Sequence, residues 1–362
     1  MRYEAGQHEV VAATFTDALA TPAAVARLAR DADKATAGLA PAVAASFLLE
    51  AATAAYPRDP NGALGLIEKG RVRIKGARRD IELAWQHAAM AWLQGPYPSG
   101  ANATGLRSSV GMPGGLKLDV VLSRGDDYLK HRDDWVITDG LSKDLLAPMF
   151  LEHALRRFPD DWNLQFARAV FDAKSVFDYL KTYALVLQAP LPNDTRFRFA
   201  HSDTRKLAES FALVVTRVPE QDRPRANLYL GFLRCYDLTV KDGFRFRPEE
   251  ALPLWREAAR STDPDVAYVA LLLQASVLWR QQGELTTAIE ALQKAQALFP
   301  DAQTAPRLLA SLLYLSGNAD AAGAVITRTL AMTPGDDPWM DFLRGDFNRW
   351  PSRLAALREL LK

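Results

Sequence analysis

The chain has 362 residues, enough for two domains, and with 49% hydrophobic and 24% charged residues it has the composition of a globular protein rather than a disordered one. Its formal net charge of +1 gives no overall field that would favour nucleic acid or an anionic membrane surface. The single cysteine, Cys235, excludes an internal disulfide framework and a cysteine-based zinc site. No apolar run is long enough to predict a membrane span.

The N-terminal residues have the spacing of half a helix pair. Residues 6–22 resemble the second helix of such a pair, whose first helix would precede Met1. Two interpretations stay open: the natural chain extends upstream, or the following helices cover this face. The segment 1–6 lacks the apolar core of a secretory signal, so a cytoplasmic location is the default expectation. A periplasmic location is expected if a signal has been trimmed.

Amphipathic helices are predicted next. Pro22 and Pro41 suit the first turn of a helix, where a missing N–H costs nothing. Four helices are expected, over 22–33, 41–56, 61–75 and 79–94.

Glycine and proline then break the pattern from Gly95 to about Ser123, which predicts a long loop. Loops of this length in compact proteins are usually functional or disordered. Residues 190–202 form a second, polar break. Helical spacing is expected around these breaks, over 147–159, 162–173, a stretch through 183–186, and 207–219.

The last third of the chain predicts more helices. One runs from Pro224 to about Val240, and its partner begins at Pro248 after a loop over 241–247. A short helix over 338–343 and a last one over 351–361 end the chain.

Residues 269–335 superimpose on themselves at a period of about 34 residues. At this period Gly283 falls on Gly317 and Pro300 on Pro334. The segment resembles the tetratricopeptide repeat (TPR), a pair of antiparallel helices, through these residues: Leu272, Ala275, Ser276, Trp279, Gly283, Ala288, Leu292, Ala295 and Pro300. The resemblance implies an all-α fold, an α-α superhelix in which helix pairs stack as a right-handed solenoid.

Fainter copies of the repeat spacing elsewhere in the sequence predict that the chain has three regions. Residues 1–140 form a degenerate helical-repeat region with the long loop 95–123, and residues 141–224 form irregular helical repeats. Residues 225–362 form regular TPR-like repeats with a C-terminal capping helix.

No catalytic motif is present. The sequence has no phosphate-binding loop, no dinucleotide fingerprint and no nucleophile elbow, and its five histidines are scattered without metal-ligand spacing. A basic cluster over 69–79 lacks interleaved aromatic residues, so nucleic-acid binding is not predicted. We therefore expect no enzymatic activity, no cofactor and no metal site.

The resemblance to TPR proteins implies a concave groove lined by the first helix of each pair. Its groove positions correspond to Leu228 and Cys235 on one helix, Ala270, Leu273 and Val277 on the next, and Thr304, Ser311 and Leu315 on the last, besides the candidate partner-binding residues. Those candidates are Arg225, Phe232, Tyr236, Arg280, Gln281, Arg307 and Tyr314. An alternative for Tyr236 and Tyr314 is simple packing between helices.

Three functions are consistent with these patterns. The first is a non-catalytic scaffold, bacterial by its alanine- and arginine-rich composition, that binds a protein or peptide in the groove. The second is a small-ligand binder or enzyme whose pocket is closed by loops 95–123 and 190–202, with Asp119, Asp126, Asp127 and His131 as first candidates. The third is a subunit that self-associates through its N-terminal face.

Overall fold

The computed structural model describes residues 21–56, 59–94, 143–185, 204–237, 245–282, 284–333, 335–347 and 349–362. Within these ranges the regular structure is α-helical apart from one 3-10 helix (Glu220–Asp222) and two paired strands of two residues each. Consecutive helices joined by short turns pack as antiparallel pairs. The all-α prediction is therefore confirmed. The chain forms two compact units, one of residues 1–159 with 348–362 and one of residues 160–347.

The described helices of the first unit begin as the sequence predicts. Prolines occupy the first turn of the first three helices, and Thr21 and Asp59 cap two of them by accepting a hydrogen bond from the backbone N–H of the third helical residue. The helices are α1 (Pro22–Ala35), α2 (Pro41–Ala55), α3 (Pro60–Ile74), α4 (Arg79–Gln94), α5 (Lys143–Arg157) and α16 (Trp350–Leu360).

Trp85 lies at the centre of this unit. Its side chain is fully buried, its Nε1 donates to the carbonyl of Ala45 at 3.0 Å, and its ring stacks on Phe150 of α5. Helix α16 also belongs to this unit, where it packs against α4 and where Arg358 pairs with the buried Glu50 at 2.8 Å. The last helix therefore completes the core of the N-terminal helices.

The second unit contains three consecutive helix pairs, α9 with α10, α11 with α12 and α13 with α14, each packed on the next. Its described helices are α6 (Trp162–Asp172), α7 (Lys174–Tyr183), α8 (Thr204–Val215), α9 (Arg223–Cys235), α10 (Pro248–Ala258), α11 (Pro264–Gln282), α12 (Leu285–Leu298), α13 (Thr304–Leu315), α14 (Ala319–Ala331) and α15 (Pro338–Arg344). Gly317 turns the chain between α13 and α14 with φ of +87°, a left-handed conformation that favours glycine.

Helix α9 is shorter than the sequence predicts. The expected helix to Val240 is wrong, because α9 ends at Cys235 and the chain continues as strand β1 (Tyr236–Asp237), antiparallel to β2 (Arg245–Phe246). The carbonyl of Cys235 accepts a hydrogen bond from the backbone N–H of Arg247 at 2.7 Å. This bond satisfies a carbonyl at the end of the helix, where no intrahelical donor remains.

Candidate functional site

The first helices of the three pairs carry the groove positions, and the structure divides these positions into two classes. On α9 the side chains of Leu228, Phe232 and Cys235 are fully buried, and on α11 those of Ala270, Leu273 and Val277 are buried as well. On α13 the corresponding Arg307, Ser311 and Tyr314 are exposed. The same repeat positions therefore line the core on two helices and open surface on the third.

The chain itself covers part of this face on α9 and α11. Residues 337–347, which we call the return segment, contain α15 and pack mainly against α11 and α7. Phe342 is the apolar anchor: it is fully buried, with its ring centroid 5.3 Å from that of Tyr229 and 5.7 Å from that of Phe232. Aromatic pairs at these distances stabilise a contact beyond the area that they bury.

Lys181 on α7 holds the end of α15. Its ammonium donates to the carbonyls of Phe342 at 2.6 Å and Gly345 at 3.1 Å, and it lies 4.0 Å from the centroid of the Phe342 ring. A cation suits the end of a helix, where carbonyls lack intrahelical donors and the dipole is negative. The side chain is buried, so these contacts are shielded from water.

Arg225 on α9 holds the carboxylate of Asp346. The guanidinium donates from Nε to Oδ1 at 3.2 Å and from Nη2 to Oδ2, and the hydroxyl of Tyr229 donates to Oδ1 at 2.8 Å. A two-pronged contact of this kind fixes orientation as well as charge. Arg225 was predicted as a partner-binding residue, and in this structure its partner is the chain's own Asp346.

Asp337 ties the start of the return segment to α13. Its Oδ2 accepts from the backbone N–H and the hydroxyl of Thr304 at 2.9 and 2.7 Å, while Oδ1 accepts from the N–H of Trp339 at 3.1 Å. One carboxylate thereby caps the N-termini of two helices. Burial raises the pKa of the neighbouring Tyr268 hydroxyl, and the charge of Asp337 raises it further.

Tyr236 and Arg280, two further predicted residues, lie beside the strand pair. The Tyr236 ring is buried, 5.5 Å from the Phe246 ring, and the Arg280 guanidinium lies 5.9 Å from the same ring. Burial raises the pKa of the Tyr236 hydroxyl and of the Cys235 thiol, so neither group ionises near neutral pH. Gln281 lies on α11, but its side chain is outside the described set.

Tyr314 is the most accessible of the predicted aromatic residues, with 67% of its surface exposed. The adjacent helix α14 exposes Leu330 at 80% and Ile326 at 38%. All three exposed side chains belong to the helix pair of α13 and α14. The packing alternative applies to Tyr236 in this structure but not to Tyr314.

A cleft in the second unit is bordered by an ion pair. This cleft of about 310 Å³ borders α8, α9 and α10, and two of its lining charges, Arg247 and Glu250, form an ion pair at 2.9 Å. No cluster of three histidine, cysteine or carboxylate ligands occurs among the residues that the structure describes. Within the same residues no helix is long and apolar enough to cross a membrane.

His153 on α5 has a lowered pKa. Partial burial is the main cause, and positive charges add to it, partly offset by Glu68. Those positive charges belong to Arg71, Lys75 and Arg156. A histidine held neutral among cations is a pH-sensitive element of the first unit.

Several predicted features lie outside the described residues. They are the N-terminal face at 1–20, all of loops 95–123 and 190–202, and Asp119, Asp126, Asp127 and His131. The small-ligand and self-association interpretations depend on these features and stay predictions.

Two family profiles match the repeat region of the chain. Residues 280–341 match one sequence profile of the tetratricopeptide repeat, and residues 247–303 match a second. No curated protein sequence matches the chain. Among solved structures the chain is similar to "MamA 41-end from Desulfovibrio magneticus RS-1", at 15% identity and a TM-score of 0.36, over 59% of this chain and 92% of that one. Residues 247–341 of this chain are tetratricopeptide repeats.

Proposed function

We propose that the protein is a non-catalytic scaffold that binds a partner protein or peptide through its tetratricopeptide repeats. The observation that carries this proposal is the exposed row on α13, formed by Arg307, Ser311 and Tyr314 at groove positions of the last repeat. Their spacing places them on one face of the helix. Tyrosine and arginine are the side chains that most often contribute large shares of binding energy at interfaces.

The rest of the described chain supports an interaction role. Arg247 and Glu250, two of the charged side chains that border the cleft near α10, pair with each other, and the Cys235 thiol is buried with a raised pKa, which removes it as a nucleophile. Repeat proteins position partners by surface rather than by chemistry of their own.

The test is partner capture from the source cell, identification by mass spectrometry, and measurement of the purified pair with variants of the full chain. Tyr314→Ala and Arg307→Ala are each expected to weaken binding about tenfold or more, as side chains at the centre of an interface do. Leu213→Ala on α8 is the matched control, because Leu213 is 68% exposed and Tyr314 67%. Equal affinities for the Tyr314 and Leu213 variants would refute this surface as the binding site.

A further inference from the structure

The return segment occupies the place in the sequence of one more repeat. Pro338, the first residue of α15, follows Thr304, the first residue of α13, by 34 positions, which is the repeat period. A regular chain would continue here with the first helix of another pair. Instead α15 has only seven residues and packs mainly against α11 and α7. Helix α14 is the one that a further repeat would follow, and its Leu330 is exposed.

The contacts of the return segment are those of a bound ligand. One aromatic side chain, Phe342, enters an aromatic pocket, and one carboxylate, Asp346, meets Arg225 and the Tyr229 hydroxyl. Between them the main-chain carbonyls accept from the Lys181 ammonium. Lys181 is buried and the Arg225 side chain is only 12% exposed, so the acceptors of the segment meet these cations where water is largely excluded.

The segment leaves this site through a strained residue. Phe347 has φ of +49°, a left-handed conformation that is unfavourable for a bulky side chain. Its ring stacks on Phe342 at 5.1 Å, and this packing holds the conformation. The strain lowers the cost of releasing the segment from the site.

We propose that the return segment is an internal ligand that occupies the site where a segment of a partner protein binds. The partner segment carries an aromatic residue, followed four residues later by a carboxylate. Its helix ends between these two residues. The aromatic residue replaces Phe342, the carboxylate replaces Asp346, and the carbonyls between them accept from Lys181. This inference rests on the proposed scaffold function and names the chemistry of its partner.

The test uses a fluorescent synthetic peptide of residues 335–349 and the full-length chain, with binding followed by anisotropy. Wild-type chain binds the peptide weakly, because its own segment competes at a high effective concentration. Asp346→Asn removes the ion pair with Arg225 and keeps the aromatic anchor, so it is expected to bind the peptide about tenfold more tightly than the wild type. Met340→Ser is the control in the same helix: Met340 is exposed, and wild-type affinity is expected.

A second peptide tests the aromatic anchor. The same peptide with Phe342→Ala is expected to show no measurable binding to the Asp346→Asn chain. Equal peptide binding by the wild type and Asp346→Asn, or equal binding of the two peptides, would overturn the inference. If Asp346→Asn does not fold, Phe342→Leu replaces it, and failure of both variants to fold also overturns the inference, since the segment is then an integral part of the core.

The two proposals fail separately. The scaffold is tested through Tyr314 and an identified partner, in an experiment that leaves the return segment unchanged. If the peptide does not exchange but binding still depends on Tyr314, the internal-ligand proposal is refuted and the scaffold proposal is retained.

Discussion

Gly231 on α9 packs against the Trp255 indole of α10, and its replacement by alanine tests how the repeat pairs are packed. A Cβ atom at this position would lie 2.7 Å from Cδ1 and 2.8 Å from Cε2 of the Trp255 indole. Contacts this short are inside van der Waals distance, so the indole has to move. Trp255 is fully buried, and its Nε1 donates to the carbonyl of Leu228 at 3.1 Å.

Three terms determine the expected change. Glycine to alanine in a helix interior favours the helix by about 1 kcal/mol. Overpacking a core costs about 1–3 kcal/mol. Moving the indole breaks its hydrogen bond to the Leu228 carbonyl and leaves two buried polar groups unsatisfied, at about 1–3 kcal/mol. Gly231→Ala therefore lowers the free energy of unfolding by about 3 kcal/mol, within a range of roughly 1–5.

Urea unfolding followed by circular dichroism and tryptophan fluorescence measures this change. Gly323→Ala on α14 is the matched control, since nothing lies within 4 Å of a Cβ atom added there. It is expected to raise the free energy of unfolding by about 0.5–1 kcal/mol. A Gly231→Ala chain as stable as the wild type, or stabilised like Gly323→Ala, would refute the close packing of α9 against α10.

Two further predictions concern single titratable side chains. Asp337→Ala removes the caps of α13 and α15 and is expected to lower the free energy of unfolding by about 1–2 kcal/mol. Asp337→Asn, which still caps, is expected to lower it less. Equal stability of the wild type and Asp337→Ala in thermal unfolding would contradict this prediction. His153 has a folded-state pKa below its unfolded value of 6.5, so the unfolded chain binds more protons and stability falls as pH drops below about 6.5. His153→Gln is expected to reduce the difference in urea midpoint between pH 7.5 and pH 5.5, and an unchanged difference would show that His153 makes no contribution.

The helical architecture was predictable because its signals are local and repeated. Pro248 opens α10, Gly317 turns the chain after α13, and the period of about 34 residues sets their register, so each element carries its own start and stop. The end of α9 was not predictable in the same way. It depends on a hydrogen bond from Arg247 to Cys235, which pairs two short strands and leaves no periodic trace in the sequence.

The return-segment site was missed for a related reason. Lys181 is a single cation on a helix, a pattern that indicates a solvated side chain. Its acceptor, the Phe342 carbonyl, lies 161 residues away, and a main-chain acceptor has no residue type to identify it. The sequence predicts the short helix over 338–343, but the helix that it packs against is a property of the folded chain.

The repeat register predicts which residues occupy groove positions, but it does not predict which of them are exposed. Phe232 and Tyr314 occupy groove positions of two repeats, so the register alone treats them as equivalent candidates. Phe232 is fully buried against Phe342 and Trp255, and truncating it removes core contacts whatever it does to a partner. Tyr314 is two-thirds exposed, so its truncation leaves the core unchanged, and a change in affinity reports on binding. The two residues differ in how much of the chain packs over them. This packing sets the exposure of each side chain, and exposure distinguishes a residue that can contact a partner from one that stabilises the fold.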